Sequence, residues 1–292
     1  MSDKLKNLIV RTLSGIVMLA VVLGASMHYY TYAVLLYVIA MVGMLEFYKI
    51  ADAVECRAHR SSGIAAGAAM FCGAYFYAIK LSASCATESC AFTTNGVIIS
   101  LLLLLFFVAL SFVVEIFRLS ERPLRNIAAT LLGVVYVALP MSLMLFIPLI
   151  LSGMEWKPWY FLFYLFIVWG NDVFAYLVGI TLGRHRLGER ISPKKSWEGF
   201  VGGIAGALGV GAVAAWVLND SYALWLGLAA VVAITAVLGD LVESMFKREA
   251  GVKDSGKILP GHGGMLDRFD ALLLSAPFAL IYLVVVELIK MN

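Results

Sequence analysis

An apolar segment near the middle of the chain reads LLLLLFFVAL, from Leu101 to Leu110, without one polar side chain. It lies within a longer apolar run, residues 96–116, and a helical membrane span needs about 20 such residues. Eight similar runs flank it. The nine predicted spans are residues 8–27, 29–48, 63–82, 96–116, 127–151, 159–183, 198–218, 222–243 and 270–290. The sequence therefore predicts an all-α polytopic membrane protein with about nine transmembrane helices.

The overall composition supports the same class. Apolar residues (AVILMFWYC) make up 62% of the 292 residues, charged residues make up 14%, and mean hydropathy is +0.92. Soluble domains are about 45–50% apolar and about 25% charged. A soluble enzyme, a disordered chain and a nucleic-acid binder are therefore poor fits, and the expected surroundings are a lipid bilayer. Four cysteines exclude a disulfide scaffold, although Cys85 and Cys90 share a predicted outer loop, where pairing stays open.

The basic residues predict the orientation. All Lys and Arg residues except Lys80, Lys157 and Lys290 fall in segments on one side of the nine spans. Because cytoplasmic loops carry the excess of Lys and Arg, the N-terminus is predicted to be cytoplasmic. The first apolar run could instead be a signal peptide, since residues 24–26 are small enough for cleavage.

The loops on the predicted inner side differ in length and polarity. Residues 184–198 and 244–269 form two long, charged, glycine-rich segments, whereas the linkers among the first five spans are short. We therefore predict a transmembrane scaffold in residues 1–155 and a catalytic transmembrane region in residues 156–292, which contains both long loops.

Polar residues cluster at the inner end of the eighth span. Glu243, Ser244 and Lys247 follow Asp240 at offsets that share one helix face. A carboxylate inside the hydrocarbon is costly unless it is paired or binds a metal. A metal site and a structural ion pair at the helix end both stay open for these residues.

The loop that follows is rich in glycine and ends in two acids. Glycines surround His262, and Asp267 and Asp270 come next at helical spacing. Glycine lets backbone N–H groups approach an anion closely. Carboxylates that face a basic, glycine-lined loop suit Mg²⁺ and a polyphosphate.

Charged groups at two further places cost free energy unless they bind a partner. Ser192 and Pro193 predict a helix start with Lys194 and Lys195 in its first turn, where the helix dipole favours a bound phosphate. The alternative is that these two lysines only flank a membrane span on its cytoplasmic side, where positive charge is common. Asp172 lies in the middle of the sixth span, where an unpaired charge costs at least about 2.5–3.5 kcal/mol, so a partner, a metal or a proton is implied.

Two other acids are expected to have no special role. Glu46 and Glu115 lie near the inner ends of their spans, and the sequence predicts that both are solvated.

The segment SMFKREAGVKDSGKILPGHGGMLDRFD, Ser244–Asp270, closely resembles the signature of bacterial phosphatidate cytidylyltransferases, the CDP-diacylglycerol synthases. SPKKSWEG, Ser192–Gly199, and the sixth span with Asp172 also resemble that family. The resemblance covers residues 170–270 strongly and the first 160 weakly. Val173 and Phe174 depart from the smaller or hydroxyl side chains of the family pattern.

This resemblance implies an activity. Such an enzyme transfers CMP from CTP to phosphatidate, which gives CDP-diacylglycerol and pyrophosphate for phospholipid biosynthesis. It would be a multi-pass protein of the bacterial inner membrane with its active site on the cytoplasmic side. Mg²⁺ is the implied cofactor. A second metal ion, divalent or monovalent, and a homodimer stay open.

The site residues are assigned by matching this motif. The predicted metal ligands are Asp240, Asp267 and Asp270. The predicted catalytic residues are these three acids together with Lys247 and Arg248. The predicted substrate-binding residues are Asp172, Lys194, Lys195, Ser196, Ser244, Lys253, Asp254, His262 and Arg268.

Two other functions compete with this assignment. An ion-coupled secondary transporter would use Asp172 and Asp240 as a relay in the membrane. A CTP-dependent enzyme that acts on another lipid phosphate is the second alternative, because the acceptor cannot be read from the residues.

Overall fold

The structure, a computed structural model, describes residues 3–82, 87–188, 191–261 and 263–291. His262, a predicted substrate-binding residue, lies outside the described residues, and so does Cys85, so that its pairing with Cys90 stays open.

Helices account for nearly all the regular structure of the described residues. The helices are α1 Asp3–Ala25, α2 Tyr29–Ala53, α3 Arg60–Ser82, α4 Thr87–Arg118, α5 Pro123–Gly133, α6 Leu139–Leu143, α7 Ile147–Leu151, α8 Pro158–Leu182, α9 Trp197–Leu218, α10 Tyr222–Glu249 and α11 Leu266–Met291. One π-helical turn, Val134–Ala138, joins α5 to α6, and two short strands, β1 Arg186–Gly188 and β2 Ser192–Ser196, precede α9.

The membrane spans agree with the sequence pattern. Eight helical segments in the described part of the chain are long and apolar enough to cross a bilayer. They correspond to the second to ninth predicted spans. The first prediction falls on α1, whose described apolar part, Ile9–Ala25, is shorter than the other eight. The predicted all-α polytopic fold is confirmed.

The chain divides into two compact units. One comprises residues 1–145 and 246–269, and the other comprises residues 146–245 and 270–292. Both α10 and α11 continue from one unit into the other, so the loop between them belongs to the first unit. The predicted division at residue 155 concerns function and stays a prediction.

In the first unit, the fifth predicted span begins as a broken helix. The chain turns from α5 through the π-helical turn into α6, in which Pro140 occupies one of the first two positions. Proline has no N–H to donate into the preceding turn, which explains why the α-helical bonding is interrupted here.

A buried polar cluster lies in the same unit. His59 Nε2 is 2.6 Å from Glu115 Oε2, and Asn126 Nδ2 donates to Glu115 Oε1 at 2.7 Å. Asn126 Oδ1 accepts from the backbone N–H of Arg57 at 2.8 Å. The expectation that Glu115 is solvated was therefore wrong. The residue is 4% exposed, and its partners lie outside its own helix, at His59 before α3 and at Asn126 on α5.

The second unit contains the short hairpin and corrects the predicted start of the seventh span. Ser192 lies on β2, and α9 begins five residues later, at Trp197. Ser196 is the N-cap, because its Oγ accepts from the N–H of Gly199 at 3.1 Å. Lys194 and Lys195 therefore precede the helix instead of forming its first turn. Pairing of β2 with β1 satisfies backbone groups that helix formation at Ser192 would have used.

Candidate active site

Three carboxylates come together in the second unit. Asp240 and Glu243 lie one turn apart on α10, and Asp270 lies near the start of α11. One oxygen of each lies within 4.8 Å of those of the other two. Glu243 is fully buried, and Asp240 and Asp270 are partly exposed. These residues, called the carboxylate group below, concentrate negative charge at one place.

A glycine on α10 permits this arrangement. A Cβ atom at Gly239 would lie only 2.6 Å from the backbone oxygen of Asp270. Because backbone atoms cannot move aside as a flexible side chain can, the absence of a side chain at this position allows α11 to pass so close to α10. Gly239 thus allows Asp270 to lie beside Asp240, the residue that follows Gly239 on α10.

A lysine contacts the carboxylate group. Lys195 Nζ is 2.6 Å from Asp240 Oδ2 and donates to the backbone oxygen of Val237 at 3.4 Å. Ser244 Oγ donates to the other oxygen, Asp240 Oδ1, at 3.2 Å. Asp172 interacts electrostatically with both Lys195 and Asp240. Predicted residues from β2 and α10 therefore meet at one site, and Asp172 of α8 lies within electrostatic range of it.

The donor set fits a divalent cation. Mg²⁺ binds carboxylate oxygens and retains several waters, so two or three acids suffice for a site. Neighbouring carboxylates repel one another when they are ionised, and a bound cation offsets that repulsion. The residues present are therefore suited to Mg²⁺, although the assignment of individual ligands stays a prediction.

Asp267 has a different environment, in the first unit. Its Oδ1 accepts from Lys247 Nζ at 2.7 Å, and the two side chains are only 5% and 12% exposed. Its Oδ2 accepts from the backbone N–H of Ser255 at 2.9 Å and from that of Gly264 at 2.8 Å. Asp267 thus connects α10, the loop 250–265 and the start of α11.

A residue that sequence reasoning missed holds the same loop. Glu46 on α2 is fully buried, and its Oε2 accepts from the backbone N–H of Leu266 at 2.8 Å. Ser255 Oγ lies 3.0 Å from both Glu46 Oε2 and Asp267 Oδ2, and its single proton can serve only one of them at a time. The expectation that Glu46 is solvated was wrong. Its position inside an apolar run is the signal that could have identified it.

The turn at Gly263 and Gly264 also has a steric basis. A Cβ atom on Gly264 would overlap Ser255 Oγ and lie 2.7 Å from the backbone nitrogen of Gly256. Gly263 has φ of +90°, a conformation that side chains disfavour. Its backbone pairs with that of Leu259 in both directions, at 3.0 and 3.1 Å. These contacts fix the backbone at Gly263 and Gly264.

A polar cavity of about 620 Å³ lies against this loop in the first unit. Its lining includes the predicted residues Lys253, Asp254 and Arg268, together with Lys257 and Arg11 of α1. The cavity is within the range of about 300–1,000 Å³ that is typical of small-molecule sites. Among the described residues that line it are four cations and one carboxylate, which makes the cavity suited to an anion.

The remaining predicted residues are placed as follows. Arg248 is exposed in the last turn of α10, and Lys194 is exposed on β2. Ser196 is buried and caps α9. Asn171, beside Asp172, is fully buried, and neither its Oδ1 nor its Nδ2 has a hydrogen-bond partner among the described residues.

Comparison with known proteins identifies the class. The sequence pattern of the Cytidylyltransferase family matches residues 9–286. The chain therefore belongs to the cytidylyltransferase family, and it is an enzyme of the nucleotidyltransferase class. The resemblance noted for Ser244–Asp270 is confirmed.

Individual relatives are consistent with this family. A phosphatidate cytidylyltransferase of Rickettsia bellii is 38% identical over 161 residues, which are 52% of this chain and 68% of that protein. One of Synechocystis is 49% identical over 124 residues, which are 42% of this chain and 41% of that protein. One of Staphylococcus saprophyticus is 48% identical over 127 residues, 43% and 49% of the two chains. The last two matches span less than half of the relatives' length.

Proposed function

We propose that this protein transfers the CMP group of CTP to the phosphate of phosphatidate, forming CDP-diacylglycerol and pyrophosphate for phospholipid synthesis. The observation that carries the proposal is the carboxylate group beside Lys195, formed by the two helices that flank the family signature. The family and the names of the relatives favour this reaction over the transporter alternative, and they favour phosphatidate over another lipid phosphate.

The reaction itself makes modest demands on acid–base chemistry. A phosphate oxygen of phosphatidate attacks the α-phosphorus of CTP, and the bond from that phosphorus to the bridging oxygen breaks. Pyrophosphate leaves with the electron pair. Because the nucleophile is already an anion, no strong general base is required. The obstacle is the approach of two anions, so charge neutralisation and alignment dominate catalysis.

The residues divide this work. We assign Mg²⁺ to the carboxylate group, where it would neutralise phosphate charge as a Lewis acid. Lys195 holds Asp240 in place, and Lys253 and Arg268 bind phosphate in the polar cavity. Asp267 stays a proposed ligand, although all of its described contacts hold Lys247 and the loop. The proposal requires neither a second metal ion nor a homodimer.

We further propose that the site opens to the cytoplasm of a bacterial inner membrane. The distribution of Lys and Arg supports this side, because both signature loops carry the excess of positive charge. The substrates support it as well, since CTP is soluble and the phosphatidate headgroup lies at the membrane surface.

The test is a turnover assay with the purified full chain in detergent, labelled CTP, phosphatidate and Mg²⁺. We expect CDP-diacylglycerol to form, EDTA to abolish its formation, and Mg²⁺ in excess to restore it. Asp240→Asn, Asp270→Asn and Asp267→Asn should each lower turnover by about 100-fold or more.

Matched controls are Lys80→Ala and Lys157→Ala, which remove the two cations predicted to lie on the opposite side of the membrane before the signature region. Both variants should retain turnover close to that of the unaltered protein. Full activity in Asp240→Asn and Asp270→Asn would refute the metal assignment, and absence of any lipid product from CTP would refute the reaction.

A further inference from the structure

The first helix reaches the signature loop, which the sequence pattern does not reveal. Ser14 Oγ on α1 donates to the backbone oxygen of Pro260 at 2.9 Å. Arg11 lies one turn earlier, on the same face of α1. A Cβ atom at Gly261 would come within 2.7 Å of Arg11 Cγ, so the tip of the loop lies directly against this side chain.

The backbone of the loop tip supports this close approach. Gly261 has φ of +75°, and the paired backbone of Leu259 and Gly263 closes the loop at its base. A side chain at position 261 would be strained and would collide with Arg11. The loop is therefore shaped to pack on α1 at this residue.

Arg11 also lines the polar cavity described above. The other cations at that cavity, Lys253, Lys257 and Arg268, all come from the signature region. Arg11 adds a fourth cation from a helix more than 200 residues earlier in the sequence. Guanidinium groups bind phosphate oxygens in a bidentate manner, with an orientation that a lysine does not impose.

We propose that Arg11 is a phosphate-binding residue, which completes the anion cavity of the signature loop by contacting a phosphate of the substrate. The inference rests on the proposed function for the identity of that substrate. The shared chemistry is a phosphate group, and its two possible sources are the triphosphate of CTP and the headgroup of phosphatidate. Four cations beside one carboxylate favour the more highly charged polyphosphate.

The experiment compares the full chain with Arg11→Ala, Arg11→Lys and Ser14→Ala. Inorganic pyrophosphate is the direct probe, measured by calorimetry, and KM is measured separately for CTP and phosphatidate. Loss of one charge-assisted hydrogen bond predicts a rise of about tenfold or more in the pyrophosphate Kd and in the KM for CTP for Arg11→Ala. Arg11→Lys should recover part of this loss, and Ser14→Ala should change binding less than Arg11→Ala.

Arg60→Ala is the matched control, because Arg60 is an exposed cation that pairs with Asp52 and does not line the cavity. It should leave both binding constants unchanged. A rise in the KM for phosphatidate alone would support phosphate binding by Arg11 with the lipid as the source. Unchanged pyrophosphate binding and unchanged KM values in Arg11→Ala would overturn the proposal, as would equal effects of Arg11→Ala and Ser14→Ala, which indicate mere support of the loop.

The two proposals can fail separately. If the unaltered protein makes no CDP-diacylglycerol, the proposed function is wrong. Pyrophosphate binding by the unaltered protein and by Arg11→Ala still decides the role of Arg11 in that case.

Discussion

Two acids three residues apart on α11 have different surroundings. Asp270 joins Asp240 and Glu243 in a cluster in which one oxygen of each lies within 4.8 Å of those of the other two. Asp267 instead accepts three hydrogen bonds, from Lys247 and from the backbone N–H groups of Ser255 and Gly264, and it shares the hydroxyl of Ser255 with Glu46. The first environment favours a bound cation, and the second already neutralises the carboxylate.

The buried pair of Lys247 and Asp267 yields a prediction about stability. Lys247→Met leaves the Asp267 carboxylate buried without its cation, which should cost about 3–5 kcal/mol of unfolding free energy. Adding Asp267→Asn to this variant should recover part of that loss, because it removes the uncompensated charge. Thermal unfolding in detergent measures both effects.

The control is the exposed pair of Lys290 and Glu287, which has a similar separation of 2.6 Å. Lys290→Met should cost no more than about 1 kcal/mol, since solvent already screens that pair. Similar losses in Lys247→Met and Lys290→Met would show that burial of the first pair is not the source of its effect.

At the scale of elements, the position of Asp270 depends on the close approach of α11 to α10 at Gly239. Gly239→Ala places a methyl group against the backbone oxygen of Asp270, which must then move. We expect the variant to lower turnover at least about tenfold, because small displacements of reacting groups are costly. We also expect it to bind Mg²⁺ more weakly, so that half-maximal activity requires a higher Mg²⁺ concentration. Activity titrated against Mg²⁺ measures both changes.

Gly209→Ala is the matched control, because a Cβ atom there meets nothing within 4 Å. Alanine is the better helix former, so this substitution should leave activity intact and add about 0.5–1 kcal/mol of stability. Equal activity losses in both variants would indicate that helix packing around Gly239 has no special role.

At this scale, some features of the fold could be predicted from the sequence and others could not. The membrane spans could be predicted because a long apolar run is a local property of the chain. The start of α9 could not, since Ser192 and Ser196 are both good N-caps and only pairing with β1 excludes the first. The role of Glu46 depends on a hydroxyl 209 residues away, and hydropathy carries no information about such a contact.

At the scale of the whole molecule, the family signature predicted the enzyme class correctly, because its residues occur in order along the chain. It did not reveal which acids meet. Glu243 was placed on the correct helix face, but its proximity to Asp270 depends on how α10 and α11 pack. The contribution of Arg11 was equally hidden, since no local pattern joins α1 to the loop 250–265.

The central claim is that Asp240, Glu243 and Asp270 bind the divalent cation that the proposed transfer of CMP from CTP requires. The most direct measurement is anomalous diffraction from crystals of the full chain grown with Mn²⁺ in place of Mg²⁺. The account predicts a strong peak within about 2.0–2.3 Å of carboxylate oxygens of this group. A structure whose manganese is bound only elsewhere, with all three carboxylates free of metal, would contradict it.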